Sequence, residues 1–150
     1  RSLRDRSLRR ALQVKPSVVR ARERSRSTAA MGVAEFLQSL RDEAPWEQVS
    51  EVRVNSRDIS GDTPLHWALW RKDELMATAL IEAGAEINAR GEEGYTPLHV
   101  AVASECLSVL PLLTERGGDW DAVSELGSSA RENAGASANT LLRVFASRLK

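Results

Sequence analysis

The chain has 150 residues, of which 42% are hydrophobic, and its 21 Lys and Arg side chains are balanced by 21 Asp and Glu. This length suits one domain with a tail, and the single cysteine, Cys106, excludes an intramolecular disulfide and a cysteine-based zinc site. No apolar run approaches the roughly 20 residues of a spanning helix and no signal peptide is recognisable, so we expect a cytoplasmic protein that does not enter a membrane.

Residues 1–30 form a basic arm. They carry ten Lys or Arg and two acidic residues, a net charge of +8, so residues 31–150 carry −8. Arg and Ser dominate the arm, it has no aromatic residue, and its apolar residues are scattered, so we expect it to be disordered. Three interpretations remain: an arm that binds nucleic acid or another acidic partner, an organelle transit peptide, or sequence foreign to the native protein, which would then begin at Met31.

The first predicted helix follows the methionine of the segment MGVAEFLQSL. One face of this helix carries apolar residues at helical spacing, namely Val33, Phe36, Leu37 and Leu40. Trp46 comes after a proline, and we expect it to anchor a second helix together with Val49.

A sequence repeat occupies the centre of the chain. The tetrapeptide Thr-Pro-Leu-His occurs twice, 33 residues apart, at Thr63, Pro64, Leu65 and His66 and again at Thr96, Pro97, Leu98 and His99. Threonine before proline predicts a helix start, because threonine caps the first turn and proline suits the first helical position. Other residues match at the same offset, among them Gly61 with Gly94, Ala68 with Ala101 and Gly84 with Gly117.

A second helix is predicted after each of these starts. In residues 73–83 the apolar side chains fall on one stripe and Gly84 is a typical stop; the stripe comprises Leu75, Met76, Ala79, Leu80 and Ala83. In the next repeat Pro111 falls inside the corresponding helix, so we expect that helix to be distorted or to start late. The last helix has a similar stripe, made of Leu141, Leu142, Phe145 and Leu149.

These motifs resemble those of the ankyrin-repeat family, whose unit has about this length and carries Thr-Pro-Leu-His. The resemblance implies an all-α solenoid of stacked helix–turn–helix units joined by projecting β-turn or hairpin loops. It divides the chain after the arm into a degenerate N-terminal cap repeat at 31–57, full repeats at 58–90 and 91–123, and a degenerate C-terminal cap repeat at 124–150. Degenerate ends are typical, because a terminal repeat faces water on one side.

Some positions depart from the family pattern. Gly91 stands where the family usually has Asp, so we expect a looser turn before Tyr95. Arg131 and Glu132 replace the Leu and His of the last repeat, which leaves the helix packing there undetermined.

Candidates for catalysis or metal binding are few. His66 and His99 stand one repeat apart, so we expect them roughly 10 Å apart, too far to share one metal; the resemblance assigns them hydrogen bonds to neighbouring turns. Ser60, Asp62 and His66 have the composition of a nucleophilic triad, but no oxyanion-hole element accompanies them. We therefore expect no enzyme activity, no cofactor and no metal site.

The resemblance places partner contacts on the turns and on the exposed ends of the first helices. Carried onto this chain, these positions are Arg57, Ile59, Ser60, Asp62, Trp70, Arg71, Arg90, Glu92, Glu93, Tyr95, Ser104 and Glu125, with Ala103, Val123, Leu126 and Ser128 beside them. Trp70 and Tyr95 are the expected anchors, because Trp, Tyr and Arg dominate interface hot spots. Packing of Trp70 against a neighbouring repeat is the alternative. We expect Trp67 to be packed and Trp120 to be half exposed.

The functional hypothesis is a monomeric, non-enzymatic protein–protein interaction module. It binds an unidentified protein partner through this face and has no small-molecule substrate. An inhibitor or immunity-type protein that masks an enzyme has the same sequence signature and remains an alternative. Nucleic-acid binding through the basic arm is a second alternative, and the acidic body opposes it because like charges repel.

Overall fold

Seven α-helices make up the described part of the chain. The computed structural model describes residues 32–150; the arm at 1–30 and Met31 lie outside the described residues, so their interpretation stays a prediction. Within residues 32–150 there is no β-strand. The helices are α1 (Val33–Leu40), α2 (Pro64–Trp70), α3 (Glu74–Glu82), α4 (Pro97–Ala103), α5 (Leu110–Glu115), α6 (Ala130–Gly135) and α7 (Thr140–Arg148).

The helices stack as pairs, which confirms the all-α repeat fold. Within a unit, α2 packs on α3, α4 on α5 and α6 on α7, and between units α2 packs on α4 and α4 on α6. The first helices of the units therefore form one layer and the second helices another.

Each helix of residues 32–150 is too short, or too polar, to cross a membrane.

The first helix of each full unit begins at the predicted threonine. Thr96 has an extended backbone, and its hydroxyl accepts a hydrogen bond from the N–H of His99 at 3.5 Å. Thr63 has the same extended backbone before α2. In the last unit the Ser129 hydroxyl accepts from the Glu132 N–H at 3.2 Å, and the Glu132 carboxylate accepts from the Ser129 N–H at 3.0 Å. This reciprocal capping box starts α6 although Glu132 replaces the motif histidine.

The first unit has one full helix where two are predicted. The predicted apolar face of α1 is confirmed, since it is buried in full or in part at Val33, Phe36, Leu37 and Leu40. The predicted second helix is wrong, because only a 3₁₀ turn forms at Ala44–Trp46. Residues 47–51 contain one apolar residue, Val49, and a short helix with little packing is marginal in water. Trp46 itself is fully buried.

Pro111 delays the second helix of its unit, as predicted. A 3₁₀ turn at Leu107–Val109 comes first, and α5 begins at Leu110. The proline thus occupies the first turn of α5, where a backbone N–H has no intrahelical partner.

The predicted stripe of α3 is wrong at Leu75. This side chain is 76% exposed, and the buried face of α3 consists instead of Met76, Ala77, Leu80 and Ile81. Successive residues are about 100° apart on a helix, so a face centred on these four turns Leu75 towards solvent. Leu141 is exposed on α7 in the same way, because the buried residues of that helix are Leu142 and Ala146.

An asparagine at the same position of the first and second units joins each of them to the unit that follows. Asn55 donates its side-chain N–H to the carbonyl of Gly84 at 3.1 Å, and its Oδ1 accepts the N–H of Glu86 at 2.8 Å. Asn88 makes the same two bonds to the following unit, at 2.9 and 2.8 Å. Each amide satisfies one donor and one acceptor of the neighbouring backbone, which fixes the separation of the units.

Large side chains in α2 and directly after it fill the junction between the first and second units. Trp67 is buried, as predicted, and its ring centroid lies 6.2 Å from that of Trp46. The guanidinium of Arg71 lies 5.2 Å from the Trp67 ring centroid and 5.7 Å from that of Phe36. One of its nitrogens donates to the Glu43 carboxylate at 3.0 Å, so an ion pair with little solvent exposure also joins the units.

Trp120 closes the junction with the last unit, and the prediction that it is half exposed is wrong. Its ring is buried, lies 5.6 Å from the Phe145 ring and donates its indole N–H to a threonine hydroxyl at 3.0 Å. Arg131 pairs with Asp121 at 2.6 Å and donates to the carbonyl of Leu149 at 3.3 Å. The arginine that replaces the family's leucine thus connects α6 to the end of α7.

Candidate interaction surface

The turns between units line up along one edge of the stack. They comprise residues 57–62, 90–95 and 123–128, which we call the turn row. Arg57 Nη1 donates to the carbonyl of Arg90 at 2.7 Å, and Arg90 Nη1 donates to the carbonyl of Val123 at 2.8 Å. The backbone N–H of Glu125 donates to the carbonyl of Glu93 at 2.9 Å. These bonds connect each turn to the next, so the turn row is one continuous surface.

Arg57 and Arg90 therefore have a structural role besides the predicted one. Each also donates to a carbonyl of its own turn, Arg57 to Gly61 at 3.1 Å and Arg90 to Gly94 at 3.3 Å. Both are predicted to contact a partner, but one terminal nitrogen of each already donates to two carbonyls. Their offset of 33 residues is the sequence signal that indicates this role.

The middle turn is hydrogen-bonded, so the looser turn predicted from Gly91 is wrong. In the first turn, Asp58 Oδ1 accepts the N–H groups of Ser60 and Asp62 at 2.8 and 2.9 Å. Gly91 has no side chain that could accept in this way. The middle turn is held at a different group, because the carboxylate of Asp62 in the preceding turn accepts the Glu92 N–H at 2.9 Å. A Cβ atom on residue 91 would lie 2.0 Å from that Asp62 oxygen. Glycine at 91 thus provides the space that the Asp62 carboxylate occupies.

Five predicted contact residues are buried, among them Ser128 at the end of the third turn, and for them the prediction is wrong. Asp62 is 3% exposed because its carboxylate turns inward to the middle turn. Arg71 is enclosed in the junction with the first unit, and Ser104 is buried where α4 ends. Tyr95 is 6% exposed, and its ring centroid lies 5.5 Å from that of His99. Tyr95 is therefore part of the stack and cannot serve as a partner anchor.

The other predicted contact residues keep solvent exposure. Ile59 is 72% exposed in the first turn, and Val123 is 53% exposed in the third. Acidic side chains lie along the second and third turns. Half-buried positions are Ser60, Trp70, Glu92, Glu93 and Leu126, and exposed positions are Arg57, Arg90 and Glu125.

Both histidines of the repeat motif bridge two units. His66 Nδ1 lies 2.8 Å from the Thr63 hydroxyl, and its Nε2 lies 2.8 Å from the carbonyl oxygen of Tyr95. His99 repeats this arrangement with Thr96 at 2.8 Å and with a carbonyl of the third turn at 3.0 Å. A carbonyl only accepts, so Nε2 carries the proton and Nδ1 is the acceptor. Burial lowers the pKa of both rings below the usual value, which keeps them neutral at pH 7.

This geometry excludes the triad of Ser60, Asp62 and His66. His66 Nδ1 already accepts from Thr63, whose backbone N–H lies 3.2 Å away, and Nε2 donates to a carbonyl. No ring nitrogen is left to take a proton from a serine hydroxyl, the step that would activate the nucleophile. The motif histidine of this chain therefore connects units, as the resemblance implies.

Comparison with known proteins agrees with this architecture. A family model described as ankyrin repeats, in three copies, matches residues 29–124. No match was found among curated proteins. Ankyrin repeats are generally protein–protein interaction modules and typically non-enzymatic. The match covers more than half of the chain, and the threonine caps and bridging histidines recur with the same 33-residue period; the chain therefore belongs to the ankyrin-repeat family.

Proposed function

We propose that this chain is a non-enzymatic protein-binding module and that its partner contacts the turn row. The role of the family supports protein binding in general. The location is supported by the arginine ladder, because turns that Arg57 and Arg90 already hold in place lose little conformational freedom when a partner binds. Binding residues commonly lie on loops that a rigid scaffold positions. The chain has a single cysteine and therefore no intramolecular disulfide, which suits a reducing compartment such as the cytoplasm, where we propose that the protein acts.

The observation that carries the proposal is the exposure of two large apolar side chains at opposite ends of the turn row. Ile59 is 72% exposed and Val123 is 53% exposed. A partner that covers them removes apolar surface from water, which stabilises the complex by roughly 25 cal/mol per Å². Trp70, half-buried where α2 ends, adds the exposed part of its ring to the same partner surface in this proposal.

The charge of the turn row indicates the chemistry of the partner. Glu92 and Glu93 lie in the second turn and Glu125 in the third, each with some solvent exposure. We infer a partner surface with apolar residues flanked by Lys or Arg. Exposed ion pairs contribute only ~0–1 kcal/mol each, so the carboxylates act mainly on association rate and partner selection. Most of the affinity then comes from Ile59 and Val123.

The double variant Ile59→Asp with Val123→Asp tests this location. Binding proteins are captured with the intact chain from the native source, and the affinity of each purified candidate is then measured for both forms. A partner of the turn row should bind the variant at least about tenfold more weakly, because burying one aliphatic side chain contributes about 1.5–3 kcal/mol.

Leu75→Asp is the matched control. Leu75 is 76% exposed like Ile59, but it lies on α3 in the layer of second helices. This substitution should leave the affinity unchanged, and circular dichroism checks that all variants are folded. A partner that loses affinity with Leu75→Asp but not with the double variant shows that the binding face is wrongly placed. If the partner is an enzyme, its activity in the complex distinguishes an inhibitor from a scaffold.

A further inference from the structure

The N-terminal end of the stack differs from the junction that follows it. In that junction, Trp67 of α2 and Arg71 directly after α2 fill the space against the first unit. The residues 33 positions earlier, on α1, are the small Ala34 and the shorter, uncharged Gln38. Equal positions of successive repeats point the same way in a solenoid. The smaller pair on α1 therefore leaves open the space that Trp67 and Arg71 fill one unit later.

A groove lies at this end of the stack. Its first part is a cavity of about 570 Å³ whose wall includes Leu37, Val52 and Val54. A second cavity of about 250 Å³ shares Gln38 and Arg41 with the first and extends it over acidic residues. We call the two together the end groove. One part of it is apolar and the other is acidic.

The acidic part is formed by Asp42 and Glu47, both of which are exposed. Among residues 32–150 neither of them forms an ion pair. Glu51 and Arg53 in the wall of the first part pair with each other at 2.7 Å and cancel in charge. With Arg41, the walls of the end groove carry a net charge of −1. The groove therefore suits a short segment with apolar residues next to basic ones.

The chain itself supplies a segment of this chemistry. The described residues begin at Gly32, directly before α1, so 31 residues precede the described part of the chain. Residues 14–22, VKPSVVRAR, contain two adjacent valines followed by two arginines and no acidic residue. Residues 23–31 separate this segment from Gly32 and span up to about 30 Å when extended, which is enough to reach either part of the groove.

We propose that residues 14–22 of the same chain occupy the end groove. Val18 and Val19 lie in its apolar part in this arrangement, and Arg20 and Arg22 lie near its acidic part. The segment then does at the N-terminal end what Trp67 and Arg71 do in the next junction. Because the segment and the groove belong to one chain, little intrinsic affinity is needed: tethering at this length gives an effective concentration in the millimolar range.

Hydrogen–deuterium exchange of the full chain, read by mass spectrometry, tests the proposal. Amides of residues 14–22 should exchange about tenfold more slowly in the unchanged chain than in the variant Val18→Asp with Val19→Asp. This ratio corresponds to an effective concentration of ~1 mM and an intrinsic Kd of ~0.1 mM. The variant changes only residues outside the described fold, so the repeat stack is the same in both samples.

A second variant changes the groove. Asp42→Lys with Glu47→Lys reverses two exposed charges and should speed exchange in residues 14–22 while leaving the helices protected. Its matched control is Glu82→Lys with Glu115→Lys, which reverses two exposed charges at the ends of α3 and α5 and should have no effect.

Two results would overturn the proposal. One is equal exchange of residues 14–22 in the unchanged chain and in the valine variant. The other is protection that disappears on dilution, which means that a second copy and not the same chain supplies the occupant. The turn-row variant of Ile59 and Val123 should leave this protection unchanged, so the outcome is independent of where the protein partner binds.

Discussion

The stack has one junction between the first and second units and another between the second and third. Equivalent positions carry different side chains in these two junctions. Trp67 in the first junction corresponds to Val100 in the second, and Arg71 corresponds to Ser104. Arg71 reaches the carboxylate of Glu43 at 3.0 Å. The Ser104 hydroxyl is buried and has no hydrogen-bond partner among residues 32–150. The first junction thus relies on large rings and an ion pair, and the second on small side chains in close contact.

The turns beside these junctions differ in the same manner. The first turn is held by its own aspartate, Asp58, which accepts an N–H of that turn, whereas in the second turn the carboxylate of Asp62 from the preceding turn accepts the Glu92 N–H. By contrast, the bridging asparagines, arginines and histidines recur unchanged at the 33-residue offset. The recurring polar bridges therefore keep the backbone spacing constant, while the residues between them determine which contacts stabilise each junction.

Replacing the large ring of the first junction should have the largest effect. Trp67→Ala removes the contact with Trp46, the support beneath Arg71 and the indole hydrogen bond to Asp58 at 2.8 Å. We expect it to lower the free energy of unfolding in urea by about 3–5 kcal/mol. Val100→Ala, the same truncation one unit later, removes far fewer atoms and should cost less than half as much. Equal losses would show that the two junctions do not differ as described.

Restoring the family's usual aspartate in the second turn should destabilise the protein. Gly91→Asp places a Cβ atom where the Asp62 carboxylate lies, at a separation of 2.0 Å. We expect a loss of about 1–3 kcal/mol in urea unfolding, the range for inserting atoms into a filled space. The backbone of residue 91 has a φ of −96°, so strain from a non-glycine residue does not contribute.

A second substitution, Asp62→Ala, tests the cause of this loss. It removes the obstructing carboxylate, so Gly91→Asp should lower the free energy of unfolding by less in that background, with an interaction energy of about 1 kcal/mol or more. Ser124→Asp, one unit after Gly91, is the matched control, since Tyr95 and not an aspartate stands in the turn before it. A loss of stability from Gly91→Asp that does not depend on residue 62 would contradict the inference that the Asp62 carboxylate occupies the space beside residue 91.

The parts of the fold that depend on local chemistry were predictable from the sequence. Thr63 and Thr96 start helices because a hydroxyl cap and a following proline act within one turn. Pro111 delays its helix for an equally local reason, the missing N–H. The structural role of the histidines was predictable only through the family resemblance that the repeated motif carries.

The burial of the predicted contact residues was not predictable, because it depends on the neighbouring unit. Arg71 is enclosed only because Phe36 and Glu43 of the first unit surround it. Asp62 turns inward only because Gly91 leaves room. The position of a residue within its repeat indicates on which face of the unit its side chain lies. Whether that side chain stays exposed is decided by residues about 30 positions away.

The smallest expected effect concerns the feature that both junctions share, the buried histidine. Burial lowers the pKa of His66 and of His99 in the folded protein. Between that lowered pKa and the unfolded value of about 6.5, the unfolded state binds more protons than the folded state. The free energy of unfolding should therefore be constant just above pH 7 and fall as the pH drops below about 6.5. Each histidine contributes a slope of at most about 1.4 kcal/mol per pH unit.

Single variants separate the two histidines in urea unfolding measured across this pH range. His66→Gln and His99→Gln each remove one titrating ring, so each should reduce the slope by a similar amount, because both rings are buried and bonded alike. The Asp58 carboxyl, whose pKa burial raises, has the opposite sign but is present in every variant and cancels from the comparison. Unequal reductions would show that the junctions differ in their shared bridge as well as in the residues around it.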